Sequence, residues 1–165
     1  METQHPGSMK ILPAELRRRF FAPCKWVTFY GHLLGGIVFL GGAGIWFALV
    51  KPTRSVEETT TALLGYFASL VGAALLEFSA DDQPYMRSFG TTAAIILIFS
   101  ALLLVWFSGV VVQLLVAIVW SLFGLAYWWV ANGTNPRFID VNPVSAIGGD
   151  SSAELQTSSD QGWSK

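Results

Sequence analysis

Ser88–Pro136 reads SFGTTAAIILIFSALLLVWFSGVVVQLLVAIVWSLFGLAYWWVANGTNP, with no Asp, Glu, Lys or Arg between Arg87 and Arg137. Its most apolar part, Ala93 to Ala131, would make a helix about 58 Å long at about 1.5 Å per residue, against a bilayer core about 30 Å thick. The stretch must double back. The place is Ser108–Gly109, where a small polar residue and a glycine follow Trp106 and Phe107, with Gln113 just beyond. This predicts two antiparallel membrane-spanning helices, Thr91 to Phe107 and Val111 to Ala131, joined by a very tight turn. Asn132-Gly133-Thr134-Asn135-Pro136 is breaker chemistry that ends the second helix.

Two more apolar runs precede this hairpin. Trp26 to Val50 is closed by Lys51-Pro52-Thr53-Arg54; Thr60 to Phe78 is entered through Glu57 and Glu58. Ser79 to Gly90, with Asp81, Asp82, Pro84 and Arg87, reads as a polar loop. The expected fold is therefore all-α, a polytopic membrane protein with four transmembrane helices, the last two a tight helical hairpin. Residues 26–131 form the transmembrane domain. Residues 1–25 are a basic amino-terminal segment in which Pro13-Ala14-Glu15-Leu16 reads as a short helix start. Residues 132–165 form a tail rich in Ser, Gly and Asp, expected to be mostly disordered for want of anything to bury. The first apolar run begins too late and lacks a small-x-small cleavage site, so it reads as an uncleaved span rather than a signal peptide.

The hydrophobic fraction of 53% against 13% charged suits a membrane protein better than a soluble core. A net charge of −1 gives no bulk field to recruit nucleic acid. Lys10, Arg17, Arg18, Arg19 and Lys25, half of the 10 basic residues, precede the first span and place the amino terminus in the cytosol. Four spans then return the carboxyl terminus to the same side, although Lys51 and Arg54 count against this. The arginine triplet is read as a topogenic flank, with an acidic-lipid or partner site as the alternative. Trp26, Trp46, Trp106, Trp128 and Trp129 fall near span ends, as an aromatic belt should, and Trp120 sits mid-span. With a cytosolic tail, the glycosylation pattern at Asn132-Gly133-Thr134 is inert.

Chemistry is sparse. There is no nucleotide loop, no Ser/His/Asp set and no pair of carboxylates within a span. His5 lies in the amino-terminal segment, and His32, near Tyr30, is read as an interfacial or interhelical hydrogen-bonding residue. A haem held between spans would want paired histidines, and the second to fourth spans contain none. No catalytic residue, metal ligand or cofactor is assigned to this chain. Cys24 is read as a buried thiol, with reversible palmitoylation beside Lys25 and Trp26 as the alternative. Glu77 is a solvated flank or one half of an ion pair with a partner helix.

Glycine is the stronger signal. The first span carries Gly31, Gly35, Gly36, Gly41, Gly42 and Gly44, and the second carries Gly65, Ser69 and Gly72. Gly31 and Gly35 form a G-x-x-x-G pair, and Gly65 and Ser69 a small-x-x-x-small pair. Such spacing lets two backbones approach closely. The approach is either within this chain or to another subunit, and the sequence leaves both open.

Tyr66 and Gly72, followed by Leu75-Leu76-Glu77-Phe78, resemble the second span of the small alpha subunit (light chain) of the NADPH oxidase flavocytochrome b. Leu102-Leu103-Leu104 through Ser108-Gly109 to Tyr127 and Ala131-Asn132-Gly133 is similar to that subunit's last two helices, and Gly35-Gly36-Ile37-Val38 to its Gly-Gly-Ile-Val element. The resemblance covers roughly residues 30 to 135. The short, acidic Ser79–Gly90 loop and a tail with only Pro136 and Pro143 depart from the animal members, and are closer to the fungal counterpart, NoxD. The resemblance implies a non-catalytic subunit of the endoplasmic reticulum or plasma membrane, both termini cytosolic. Its partner would be the catalytic oxidase subunit, which holds the haem, FAD and NADPH and makes superoxide. The expected partner interface is Gly31, Gly35, Gly65, Tyr66, Ser69, Gly72 and Glu77. The competing expectations are a tetraspan trafficking or scaffold protein of Golgi and endosomal membranes and, last because no span carries a polar stripe, a self-associating pore.

Overall fold

The structure, a computed structural model, describes residues 8–51 and 55–140. Expectations for His5, for Pro52 to Arg54 and for the tail beyond Asp140 lie outside those residues. No strand occurs among the described residues. Helix α1 is Ser8–Phe21, followed by a 3-10 turn at Ala22–Lys25; α2 is Val27–Gly41 and α3 Ala43–Val50; α4 is Val56–Ser79, α5 Pro84–Trp106 and α6 Val110–Asn132; a last 3-10 turn is Pro136–Phe138. Among the described residues α4, α5 and α6 are long and apolar enough to cross a membrane, and α2 with α3 makes a fourth only if that bent pair counts as one span.

The tight hairpin stands where it was expected. Helix α5 stops at Trp106 and α6 starts at Val110, with Phe107, Ser108 and Gly109 between them. Gln113 explains how so short a turn is satisfied: its side-chain amide nitrogen, Nε2, donates to the carbonyls of Val105 and Ser108, 3.0 Å from each. These are among the carbonyls a helix end leaves without partners. The hairpin's two arms are nevertheless not the closest pair. Helix α6 packs most extensively on α4, and the two run parallel. Leu63 accepts from Ser121 Oγ at 3.0 Å near one end, and Glu77 accepts from Asn135 at 3.2 Å near the other.

Several boundaries differ from the sequence reading. Helix α4 starts at Val56 rather than Thr60, because Ser55 caps it through the Glu58 N–H and Glu57 and Glu58 occupy its positive first turn. Helix α5 starts at Pro84 rather than Thr91, since a proline at the first position gives up no hydrogen bond. The Ser79–Gly90 loop thereby shrinks to Ala80–Gln83. Helix α1 begins at Ser8 and carries Pro13 inside it. The first apolar run is not one straight helix. Residues His32–Gly41 are π-helical, and α2 and α3 meet at a bend of 52°. At the bend, a Cβ on Gly42 would lie 2.3 Å from the Val38 carbonyl oxygen, so only glycine fits. Trp46 Nε1 donates to that same carbonyl at 3.1 Å, replacing the bond the break removes.

The core lies among α4, α5 and α6. Leu63, Phe67, Leu70, Val71, Ala74 and Phe78 form the buried stripe of α4, at helical spacing. Phe78 lies against Gly90 of α5 and 5.1 Å, ring to ring, from Tyr127 of α6, whose hydroxyl donates to the Gly90 carbonyl at 2.7 Å. Mid-span Trp120 donates to the Leu97 carbonyl and the Ser100 hydroxyl, both at 3.1 Å, and so ties α6 to α5. The outer faces of α5 and α6 are bulky and bare: Ile96 is 61% exposed, Phe99 64% and Leu122 62%. Contiguous apolar surface of this kind suits hydrocarbon and not water.

Candidate functional site: an open small-residue face and a polar cap

The face of α4 opposite its buried stripe carries Thr61, Gly65, Ala68, Ser69, Gly72 and Ala73, all exposed. No side chain larger than threonine interrupts it before Leu76. A Cβ built on Gly65 or on Gly72 would meet nothing within 4 Å. Ser69 Oγ donates to the Gly65 carbonyl of its own helix at 2.9 Å, so the hydroxyl is satisfied and the surface stays flat. Three of the expected interface residues, Gly65, Ser69 and Gly72, thus share one uncovered stripe. Gly31 and Gly35 are likewise open on α2, with nothing within 4 Å of either.

Among the described residues, then, these small residues do not pack inside the chain. The glycines that do pack internally are others. An added Cβ would come 2.4 Å from Phe78 at Gly90, 3.0 Å from Phe67 at Gly124, and against the Arg19 carbonyl at Gly133. None of these was singled out from the sequence as a packing glycine, because none belongs to a small-x-x-x-small pair within the first two spans. Tyr66 does not join the stripe. It is half-buried and turned toward Gly41 of α2, whose added Cβ would sit 3.5 Å from its ring. Glu77 is also elsewhere: half-buried, it accepts from Asn135, so neither a purely solvated flank nor a free half of an ion pair describes it.

Glu77 belongs to a polar cap at one end of the bundle. Arg19 is 5% exposed; its guanidinium donates to Glu15 at 2.9 Å and forms an ion pair with Asp81 at 2.6 Å. Arg18 also reaches Glu15, at 2.7 Å. The arginine triplet is therefore not a uniform flank: Arg17 is exposed, Arg18 is paired and Arg19 is buried. The i, i+4 spacing of Glu15 and Arg19 is legible in the sequence, but their third partner Asp81 is not. Burial raises the Glu15 carboxyl, but hydrogen bonds and charge from Arg18 and Arg19 outweigh it and hold the carboxyl below its ordinary value. Arg19, Glu77, Asp81, Gln83, Asn135 and Arg137 surround a cleft of about 530 Å³. Among the described residues, Gln83 Oε1 is the one buried side-chain polar atom without a hydrogen-bond partner.

The segment after α6 is docked over residues 132–140, where disorder was expected. Phe138 packs 5.8 Å, ring to ring, from Phe29, and Asp140 accepts from the N–H groups of Val27 and Thr28 at 2.6 and 3.1 Å, capping the start of α2. The Thr28 hydroxyl first, and then those two N–H groups, hold the Asp140 carboxyl below its ordinary value. His32 makes ring contacts rather than the expected hydrogen bond: it stacks 6.1 Å from Trp128 and lies 4.7 Å from Phe138. Cys24 is exposed, not buried. Among the described residues no three His, Cys, Asp or Glu side chains gather as a metal site. No family model matches the chain, and no curated protein or solved structure is significantly similar to it.

Proposed function

We propose that the chain is a non-catalytic membrane subunit that offers the open faces of α4 and α2 to a partner helix. The observation that carries this reading is the stripe of Gly65, Ser69 and Gly72, which none of the described residues covers. In hydrocarbon an apolar side chain gains little by leaving lipid for protein, so association rests on close van der Waals packing. A flat helix face allows a second backbone to approach closely, and lipid tails fill such a face less completely than a helix does. The resemblance described above makes that partner the catalytic subunit of a superoxide-generating NADPH oxidase, which carries the haem, FAD and NADPH. In this reading the chain assists the partner's maturation in the endoplasmic reticulum and its stability there or at the plasma membrane.

The same reading takes α2 and α3 as one broken span, the fourth. Contacts along the pair support it: Asp140 caps the start of α2, Gly41 lies by Tyr66, Gly44 by Ala62, and Lys51 pairs with Glu58 at 2.9 Å. From Gly41 to Lys51 the pair thus runs antiparallel to the first part of α4. The basic residues before α2 place that end, and both termini, in the cytosol.

Deleting the protein tests the function. Superoxide output and the level of the haem-bearing partner should both fall, and Gly72→Leu should reproduce the loss while this chain itself still accumulates. Unchanged superoxide and unchanged partner in the deletion would reject the oxidase role. A Soret band in material purified by a tag on this chain gives the same answer biochemically.

A further inference from the structure

A second feature, lined by α1, α5 and α6, rests on the helices crossing a bilayer with the basic end in the cytosol, and not on an oxidase being the partner. Helix α1 lies across the cap end of the α5–α6 pair, held there by the Arg19–Asp81 ion pair and by Trp129 Nε1, which donates to the Phe20 carbonyl at 2.8 Å. Beneath it the outer surfaces of α5 and α6 form a groove of about 660 Å³. Its floor is opened by two small residues, Ala93 and Ala126, and its walls are Leu97, Phe123 and the exposed rings of Phe20 and Phe21. The Tyr127 hydroxyl, the one polar group a wall could offer, is turned inward onto the Gly90 carbonyl. Arg17 is the single charged residue of the lining. It is exposed and, unlike Arg18 and Arg19, has no carboxylate partner among the described residues.

The geometry points to a binding site for an anionic phospholipid: one acyl chain lies in the groove, and the phosphate rests on Arg17. The dimensions agree. Phe89 to Leu97 of α5 is about 12 Å at about 1.5 Å per residue, close to the depth of one leaflet, about half of a core about 30 Å thick. Charge complementarity selects the lipid. Among the described residues the rim carries one unpaired cation, and in this orientation the basic end of the molecule faces the leaflet that holds anionic lipid. A partner helix is the poorer occupant, since α1 crosses the groove's end and Arg17 would need a carboxylate brought to it.

The test uses the full chain in phosphatidylcholine nanodiscs with and without phosphatidylglycerol, released into detergent and weighed by native mass spectrometry. The wild type should retain phosphatidylglycerol in preference to phosphatidylcholine. Arg17→Gln should cut phosphatidylglycerol retention about fivefold, the worth of one basic contact, and leave phosphatidylcholine unchanged. Arg17→Lys should restore most of it. Ala126→Phe, an outward position with room for a ring, should abolish retention of both lipids without lowering the melting temperature. The proposal is overturned if Arg17→Gln leaves the preference intact or if Ala126→Phe retains lipid as the wild type does. It is equally overturned if the wild type retains no lipid but forms a dimer that Ala126→Phe dissociates, which would make a second copy the occupant.

Discussion

Two groups of glycines in this molecule look alike in sequence and differ in space. Gly90, Gly124 and Gly133 lie inside the α4–α5–α6 packing or under its cap, each filled by a neighbour that a methyl group would strike. Gly31, Gly35, Gly65 and Gly72 lie on the outside of α2 and α4, where an added Cβ would meet none of the described residues within 4 Å. Glycine weakens a helix wherever it stands, by roughly 1 kcal/mol relative to alanine, so a helix gains only where something uses the space. The interior set is used by this chain. The exterior set has no use within it, and the bulky outer faces of α5 and α6 show that the protein does not need small residues merely to meet lipid.

The interior region should break hardest at its cap. Arg19→Ala leaves the largely buried Asp81 carboxylate without its cation and Glu15 with only the exposed Arg18, and the expected cost is about 3–5 kcal/mol. Thermal unfolding in detergent checks it, with limited proteolysis showing α1 released first. Next comes Gly90→Ala, which drives a methyl into Phe78 and should cost about 1–3 kcal/mol by the same melt. At Gly72→Ala the sign should reverse. With open space and helical backbone, the isolated chain should gain up to about 1 kcal/mol, while recovery of the partner in a pull-down falls. A stability loss at Gly72 equal to that at Gly90 would erase the distinction between the two regions.

The smallest expected effect concerns pH. Glu15 titrates below its ordinary value of 4.5 in the folded chain, so its contribution to docking α1 is complete above that value. It is lost as pH falls through the lowered folded value. Hydrogen exchange in Glu15 to Phe21 should therefore rise on acidification after correction for intrinsic rates, and Glu15→Gln should remove the dependence.

The hairpin was legible to within a residue or two because its signal is local: a small polar residue and a glycine interrupt a run too long for one crossing. The all-helical character followed from the same run. Helix starts at Val56 and Pro84 were read too late, since hydropathy marks where the membrane begins and not where Ser55 or Pro84 can cap a helix in water. The bend at Gly42 was hidden because a glycine inside an apolar run costs a hydropathy profile nothing. Arg19 was misread for a different reason. A count of basic residues cannot distinguish a cation facing solvent from one buried against an aspartate two helices away. The parallel packing of α4 on α6 has no local signature at all. As for the expected interface, Gly65, Ser69 and Gly72 do share a face, as their i, i+4, i+7 spacing requires, whereas Tyr66 and Glu77 are placed by tertiary contacts.

The central claim is that the small face of α4 is covered by another protein in the membrane. A photo-crosslinking residue placed at Ala68, and separately at Phe99 on the bulky face, measures this directly in intact cells. The account predicts a discrete adduct with one haem-binding membrane protein from position 68 and only lipid adducts from position 99. Lipid adducts alone from both positions would contradict it.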